Sequence, residues 1–157
     1  EEFGLLGAQA WVKAHKDKLP KIANLFNRDG GPEPPVGISV PQAMYDDFVK
    51  ISEPIQKIRP DYPFEVKVRA PRKRPTRMGG TDASVFAIEG VPTLGFTTED
   101  FKGYDFDYGE IWHTERDLYT KNIPEYQEHT ATVTAIIALG VANLDKQLSR
   151  EGLYTEE

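Results

Sequence analysis

Only a few residues in this chain have the types and placement to do chemistry. His113 lies in Gly109-Glu110-Ile111-Trp112-His113-Thr114-Glu115-Arg116-Asp117, directly after an aromatic. Far from it in sequence stand the pair Glu1-Glu2, in Glu1-Glu2-Phe3-Gly4-Leu5-Leu6-Gly7, and Asp29, in Asn27-Arg28-Asp29-Gly30-Gly31. Imidazole nitrogen and carboxylate oxygen are both zinc donors, and a catalytic zinc keeps a position open for water. A carboxylate pair, a strand-end Asp and His113 therefore read as a zinc site drawn from three separate stretches. Asp29 also has a plain reading as a turn residue, since Asn, Asp and Gly crowd together there. The other two histidines read as structural. His15 falls near the end of the first helix, and His129 lies beside an apolar stripe as a packing or surface residue.

The elements that must position these groups can be followed along the chain. A helical pattern runs over about residues 3–15 and stops before Pro20. Residues 21–27 are expected to be a strand ending at the Asn27-Arg28-Asp29 turn, which places Asp29 beyond a strand's carboxyl end. In open α/β sheets ligands bind there. Residues 36–40 form a second expected strand. Pro41 then opens a helix carrying Met44, Phe48, Ile51 and Ile55 on one side, with Pro54 expected to bend or end it. Residues 64–69 alternate with period two and read as a third strand. Arg69, Arg72, Lys73, Arg74 and Arg77 follow. They form either a solvated basic loop or a cationic wall for a substrate carboxylate, to which Arg offers a bidentate fork. Thr81 or Asp82 can cap a short helix that Gly90 ends, and residues 91–96 form the fourth expected strand. A loop rich in Asp and aromatics, residues 97–108, leads into the His113 stretch and could form one wall of a cleft. Asn122 and Glu125 have capping-box spacing, with Pro124 in the first turn of a long final helix. Its stripe is Tyr126, Val133, Ile137, Val141, Leu144 and Leu148.

Bulk properties narrow the function. A chain of 157 residues is expected to form one domain. The net charge of −6 argues against nucleic acid as a partner. The absence of cysteine removes disulfides and thiolate chemistry. No apolar run approaches the ~20 residues that span a bilayer.

Taken in order, the segments resemble the C-terminal half of the co-catalytic zinc exopeptidases, the group of aminopeptidases, glutamate carboxypeptidase and secreted dipeptidases. Four motifs carry the resemblance: Glu1-Glu2-Phe3-Gly4-Leu5-Leu6-Gly7; Asn27-Arg28-Asp29; Gly79-Gly80-Thr81-Asp82 with Gly90-Val91-Pro92; and Trp112-His113-Thr114 with Asp117. The resemblance implies a metal-bound water as nucleophile and Glu1 as its general base. It implies Glu2 and His113 as ligands of one zinc and Asp29 as a ligand of the other, two zincs in all. It further implies Gly80, Thr81 and Trp112 on the substrate side. Asp117 is a candidate to hold the His113 imidazole from behind, or only to cap the chain before Thr120.

The implied fold is a three-layer α/β/α domain. Residues 1–157 are expected to be one part of it, because the family's upstream His-x-Asp segment and bridging Asp have no counterpart here. The implied substrate is a peptide or dipeptide, and the implied location is extracytoplasmic, either secreted or periplasmic. Two other functions suit the same scaffold: a single-zinc glutaminyl cyclase, or a non-catalytic relative that binds a partner protein. The joint presence of Glu1, Glu2, Asp29 and His113 speaks against the last. An acidic loop before His113 suits an aminopeptidase, and the arginine loop suits a carboxypeptidase. The oligomeric state is left open.

Overall fold

The structure, a computed structural model, describes residues 3–155. Residues Glu1 and Glu2, the expected base and zinc ligand, therefore lie outside the described residues. The chain opens with helix α1 (Leu6–Ala14) and a 3-10 turn (Lys16–Lys21). Strand β1 (Pro35–Val40), helix α2 (Tyr45–Ile58) and strand β2 (Glu65–Val68) make a βαβ unit. Helix α3 (Asp82–Ile88), strand β3 (Phe96–Thr98), the single turn α4 (Tyr108–Ile111) and the long helix α5 (Pro124–Ala142) complete it.

Among the described residues the sheet has the order β2-β1-β3. β1 and β2 run parallel, with Gly37 opposite Glu65 and Val40 opposite Val68. A parallel pair requires a long crossover, and α2 supplies it. β3 runs antiparallel to β1, with Ile38 opposite Phe96 and an irregularity between Pro35 and Gly37.

Two of the four expected strands differ from expectation. Residues 22–29 are extended but form no ladder, and β3 starts only at Phe96. The two segments still lie side by side. The Leu25 N–H donates to the Pro92 carbonyl at 2.9 Å. The Asn24 side-chain amide then does what a backbone would, accepting from the Leu94 N–H at 2.8 Å and donating to the Leu94 carbonyl at 3.2 Å. Pro92 has no N–H to give, so a regular ladder is interrupted where the pair begins.

These extended residues separate two apolar cores. Ala23 and Phe26 pack with Ile38, Val40, Phe48, Ile55, Leu94, Val133 and Ile137, between the sheet and helices α2 and α5. Ile22 and Leu25 pack instead with Leu5, Val12, Leu19, Val85, Phe86 and Val91, under α1 and α3. Helices thus cover both sides of the extended layer, which is the expected three-layer α/β/α arrangement. Burying one side chain such as Phe48 fully contributes about 1.5–3 kcal/mol. α2 and α5 approach so closely that a Cβ on Gly140 would lie 2.4 Å from the Ile51 Cγ2.

Three local expectations are corrected. Pro54 does not end α2, which continues to Ile58 and forgoes one donor. The capping box at α5 does not form: Ile123 is the N-cap with no side-chain bond, Asn122 donates to Gln127 at 2.9 Å, and Glu125 turns away to Lys102. Thr81 is the N-cap of α3 by position, yet its side chain makes no cap bond. The other end of α3 closes as expected on Gly90, φ +79°, with Gly90 N–H to the Ala87 carbonyl at 3.0 Å and Val91 N–H to the Phe86 carbonyl at 3.1 Å.

Candidate functional site

A cleft of about 1110 Å³ is lined by parts of residues 29–32, 79–81 and 108–130. Its walls include Asp29, Gly80, Thr81, Trp112, His113 and Asp117, which are all the expected site residues that the structure describes. Gly4 and Leu5, immediately after Glu1-Glu2 in sequence, line it as well. A smaller cavity of about 330 Å³ shares Asp29, Thr81 and Tyr108 with it and reaches back to Leu94.

The Asp29 arm is a turn held from below. Asn27 Nδ2 donates to the Asp29 carboxylate at 2.6 Å. The Arg28 guanidinium turns inward to the Gly31 carbonyl at 2.8 Å and to the Glu33 carbonyl. Burial lowers the Arg28 pKa, and the nearby Glu33 charge acts the other way. Gly31, φ +70°, lies against the Phe106 and Tyr108 rings: a Cβ there would stand 3.0 Å from the Phe106 ring. The loop before His113 is thus clamped onto the Asp29 turn, and Tyr108 lines the cleft.

That loop is organised by Asp100. Its carboxylate accepts the backbone N–H groups of Tyr104 at 3.0 Å, Asp105 at 2.8 Å and Phe106 at 3.4 Å. The Tyr126 hydroxyl, reaching from α5, donates to Asp100 at 2.6 Å and accepts from the Lys102 N–H at 3.0 Å. Burial and the Asp100 carboxylate push the Tyr126 pKa up to about 12, so the hydroxyl keeps its proton.

The His113 arm is the turn α4. Asp107 caps it, accepting from the Gly109 N–H at 2.8 Å, and buried Ile111 anchors it. Thr114 Oγ1 donates to the Glu110 and Ile111 carbonyls, each at 3.0 Å, and accepts from the Arg116 N–H at 3.2 Å. Glu110 is also bridged to Lys121 at 3.3 Å and to Arg116 at 3.6 Å. His113 itself has φ 55° and stacks obliquely beside Trp112, with ring centroids 4.6 Å apart. Among the described residues, the non-glycine residues with positive φ are Leu5, Asp105 and His113. Two of them line the cleft and the third sits in the loop that walls it. Such conformations persist where surrounding structure enforces them, often at binding sites.

His113 and Asp29 bring zinc-type donors, imidazole nitrogen and carboxylate oxygen, into one cleft, and Asp117 adds a second carboxylate. The donor chemistry fits zinc. Among the described residues, however, no three His, Asp or Glu side chains gather into a set that could hold a metal ion. Glu2, the other zinc ligand expected from this chain, lies outside the described residues.

Cleft residues beyond those expected include Leu118, Tyr119, Lys121, Asn122 and Gln127. The available signal was their closeness to His113 in sequence. The basic loop takes its bland reading. Arg72 bonds Thr93 at 2.7 Å, Arg74 bonds the Ile88 carbonyl at 2.9 Å at the end of α3, and neither lines the cleft. His129 is fully buried, stacked on Tyr62 at 3.9 Å with its Nε2 donating to the Pro35 carbonyl at 3.0 Å. His15 ends α1 as expected, bonded to the Trp11 carbonyl at 2.9 Å.

The fold has a solved counterpart. The crystal structure of a Peptidase M28 precursor from Shewanella amazonensis SB2B superposes with a TM-score of 0.66 at 24% identity, over 93% of this chain. The match covers 30% of that chain. No curated protein matches the sequence. The family model of Peptidase family M28 matches residues 1–137, most of the sequence. The motifs of the Glu1-Glu2, Asp29, Gly80-Thr81 and His113 stretches all fall inside that match, and the chain belongs to peptidase family M28, a family of co-catalytic zinc exopeptidases.

Proposed function

We propose that this chain forms part of the single catalytic domain of a zinc-dependent exopeptidase, and that it acts from the amino end of peptides. The observation that carries the reading is the meeting of Asp29, Thr81, Trp112 and His113 in one cleft, from stretches far apart in sequence. Glu2 and His113 would hold one zinc and Asp29 the other. When bound, zinc supplies a Lewis acid for the scissile carbonyl and lowers the pKa of water. Glu1 accepts a proton from the attacking water and passes it to the leaving amine. Gly80, Thr81 and Trp112 flank the peptide. Among the described residues no arginine lines the cleft to take a substrate carboxylate. Lys121, the cation that lines it, is bridged to Glu110. An ammonium terminus is favoured there over a carboxylate. The counterpart from Shewanella amazonensis is described as a precursor. A secreted or periplasmic location for this chain accords with that.

The test is zinc content together with cleavage of dipeptides blocked at one end or the other, on the protein that carries this chain. Two zincs and cleavage of C-blocked but not N-blocked dipeptides are expected. Glu1→Gln should keep the zinc and lose about 10²–10⁴-fold in kcat with little change in KM. Glu2→Gln should instead lower zinc occupancy. Full turnover by Glu1→Gln with both zincs bound would remove the mechanism. Cyclisation of an N-terminal glutamine without peptide cleavage would replace it with acyl transfer.

A further inference from the structure

We propose that Asp29-Gly30 is a site of spontaneous isoaspartate formation, a covalent change that displaces a carboxylate of the cleft with age. The modification itself is independent of what the cleft hydrolyses. Its effect on zinc rests on the exopeptidase reading.

The reacting atoms are the Gly30 backbone nitrogen and the Asp29 side-chain carbon Cγ, held next to each other by the chain itself. Attack forms the N–Cγ bond of a succinimide ring and breaks the Cγ–OH bond. The hydroxyl leaves with the Gly30 N–H proton as water. A water molecule then opens the ring. Addition at Cγ restores aspartate. Addition at the Asp29 main-chain carbonyl breaks that carbon's bond to nitrogen, and Gly30 stays joined through Cγ as isoaspartate. No oxidant or cofactor enters, and the final mass is unchanged.

Sequence and structure both single out this position. Asp29 is the one Asp or Asn in the chain followed by glycine. Glycine has no Cβ to crowd the attacking nitrogen or to restrict the backbone. Asp29 and Gly30 are both exposed. A Cβ on Gly30 would find only the Arg28 Nη1 within reach, at 3.7 Å. Among the described residues the Gly30 N–H donates no hydrogen bond, so nothing holds it back. The Asn27 amide, 2.6 Å from the Asp29 carboxylate, draws electron density from Cγ. The aspartates of the loop before His113 differ on these points. Asp100 precedes Phe101 and is occupied by three backbone N–H groups, and Asp107 precedes Tyr108 and caps α4.

Isoaspartate adds one carbon to the main chain and leaves the carboxylate directly on Cα, one carbon shorter. The added length runs into Gly31, φ +70°, which is pressed against the Phe106 and Tyr108 rings. The carboxylate therefore cannot keep its place in the cleft.

The experiment takes the protein that carries this chain, strips it of metal with a chelator and incubates it warm at neutral pH, folded or in urea. Peptide mapping by mass spectrometry then reads isoaspartate as a separately eluting peptide of unchanged mass, and the succinimide as one lighter by a water. Position 29 should isomerise in the folded protein within a few-fold of its rate in the unfolded chain, with the other aspartates intact. Gly30→Ala should lose the isomerisation, and the open space around Gly30 lets that variant fold with an unchanged Tm. Aged protein should bind one zinc fewer than fresh protein. Asp29 intact in the folded protein but lost in urea overturns the proposal, as does undiminished isomerisation in Gly30→Ala. Aged protein that binds as much zinc as fresh protein removes Asp29 as a ligand in the exopeptidase reading, while the peptide map still decides the modification.

Discussion

Asp117 follows His113 by four residues and shares its cleft, and its N–H closes a turn on the Thr114 carbonyl at 3.3 Å. That turn needs only the backbone, so it does not explain why the side chain should be acidic. Carboxylates commonly take the second N–H of a zinc-bound histidine, fixing its tautomer and orientation. Asp117→Asn is therefore expected to weaken zinc affinity about 10–100-fold, measured by competition with a chelating dye. Unchanged affinity would leave Asp117 as a turn residue. His113 depends on its neighbours in another way as well. Its left-handed backbone is bracketed by α4, capped by Asp107, and by the Thr114 hydroxyl bonds that pin the following residues.

At the scale of elements, the loop after β3 links both arms of the site. Asp100 gathers the N–H groups of Tyr104, Asp105 and Phe106, Phe106 rests on Gly31 beside Asp29, and the chain then enters α4. The Tyr126 hydroxyl ties this hub to α5. Tyr126 is fully buried, so removing the hydroxyl leaves the Asp100 carboxylate short of a donor. Tyr126→Phe should cost about 1.5–3 kcal/mol, the usual range for a hydrogen bond to a charged group, read from urea unfolding. It should also raise backbone hydrogen exchange at residues 104–106. An unchanged midpoint would mean that the loop holds itself without α5.

For the molecule as a whole, the interior around His129 ties stability to pH. His129 Nε2 donates to Pro35, so Nδ1 must take up any proton, and Nδ1 is buried with no hydrogen-bond partner. The Tyr62 ring that stacks on His129 also carries the Lys102 ammonium 4.5 Å and the Arg59 guanidinium 4.9 Å from its centre. Burial first, and the nearby cations as well, lower the His129 pKa, against opposing contributions from the Pro35 bond and Asp61. The unfolded chain takes its proton near pH ~6.5, while the folded one resists until lower pH. Stability from this group is therefore complete above about pH 6.5 and falls as pH drops below it. Glu125 adds a second loss at lower pH. Its bond to Lys102 at 2.7 Å holds its carboxyl below the usual range, so that contribution fades as pH falls through the carboxylate range. Tm measured from about pH 7.5 down to about pH 2.5 should decline in two stages. His129→Gln, less stable at pH 7.5, should flatten the first stage and keep the second.

Read alone, the sequence was enough for whatever depends on local pattern. The apolar spacing of α2 and α5, the strand at residues 36–40, the close of α3 at Gly90 and the ordered motifs around Asp29 and His113 all rest on neighbours within a few residues. The tertiary structure decided what depends on a distant partner. Residues 21–27 have strand composition, but Pro92 lacks a donor and Asn24 lends its side chain instead, so a ladder does not form. Glu125 has the spacing of a cap, but Lys102 and Tyr62 lie close enough to draw it away. The arginines could have faced a substrate, but Thr93 and the end of α3 lie within reach of Arg72 and Arg74. His129 was either core or surface by pattern, and the Tyr62 ring and the Pro35 carbonyl made it core. The gathering of Asp29, Thr81, Trp112 and His113 around one cleft belongs with these, because periodicity sets which face an element buries and only packing sets which distant faces meet.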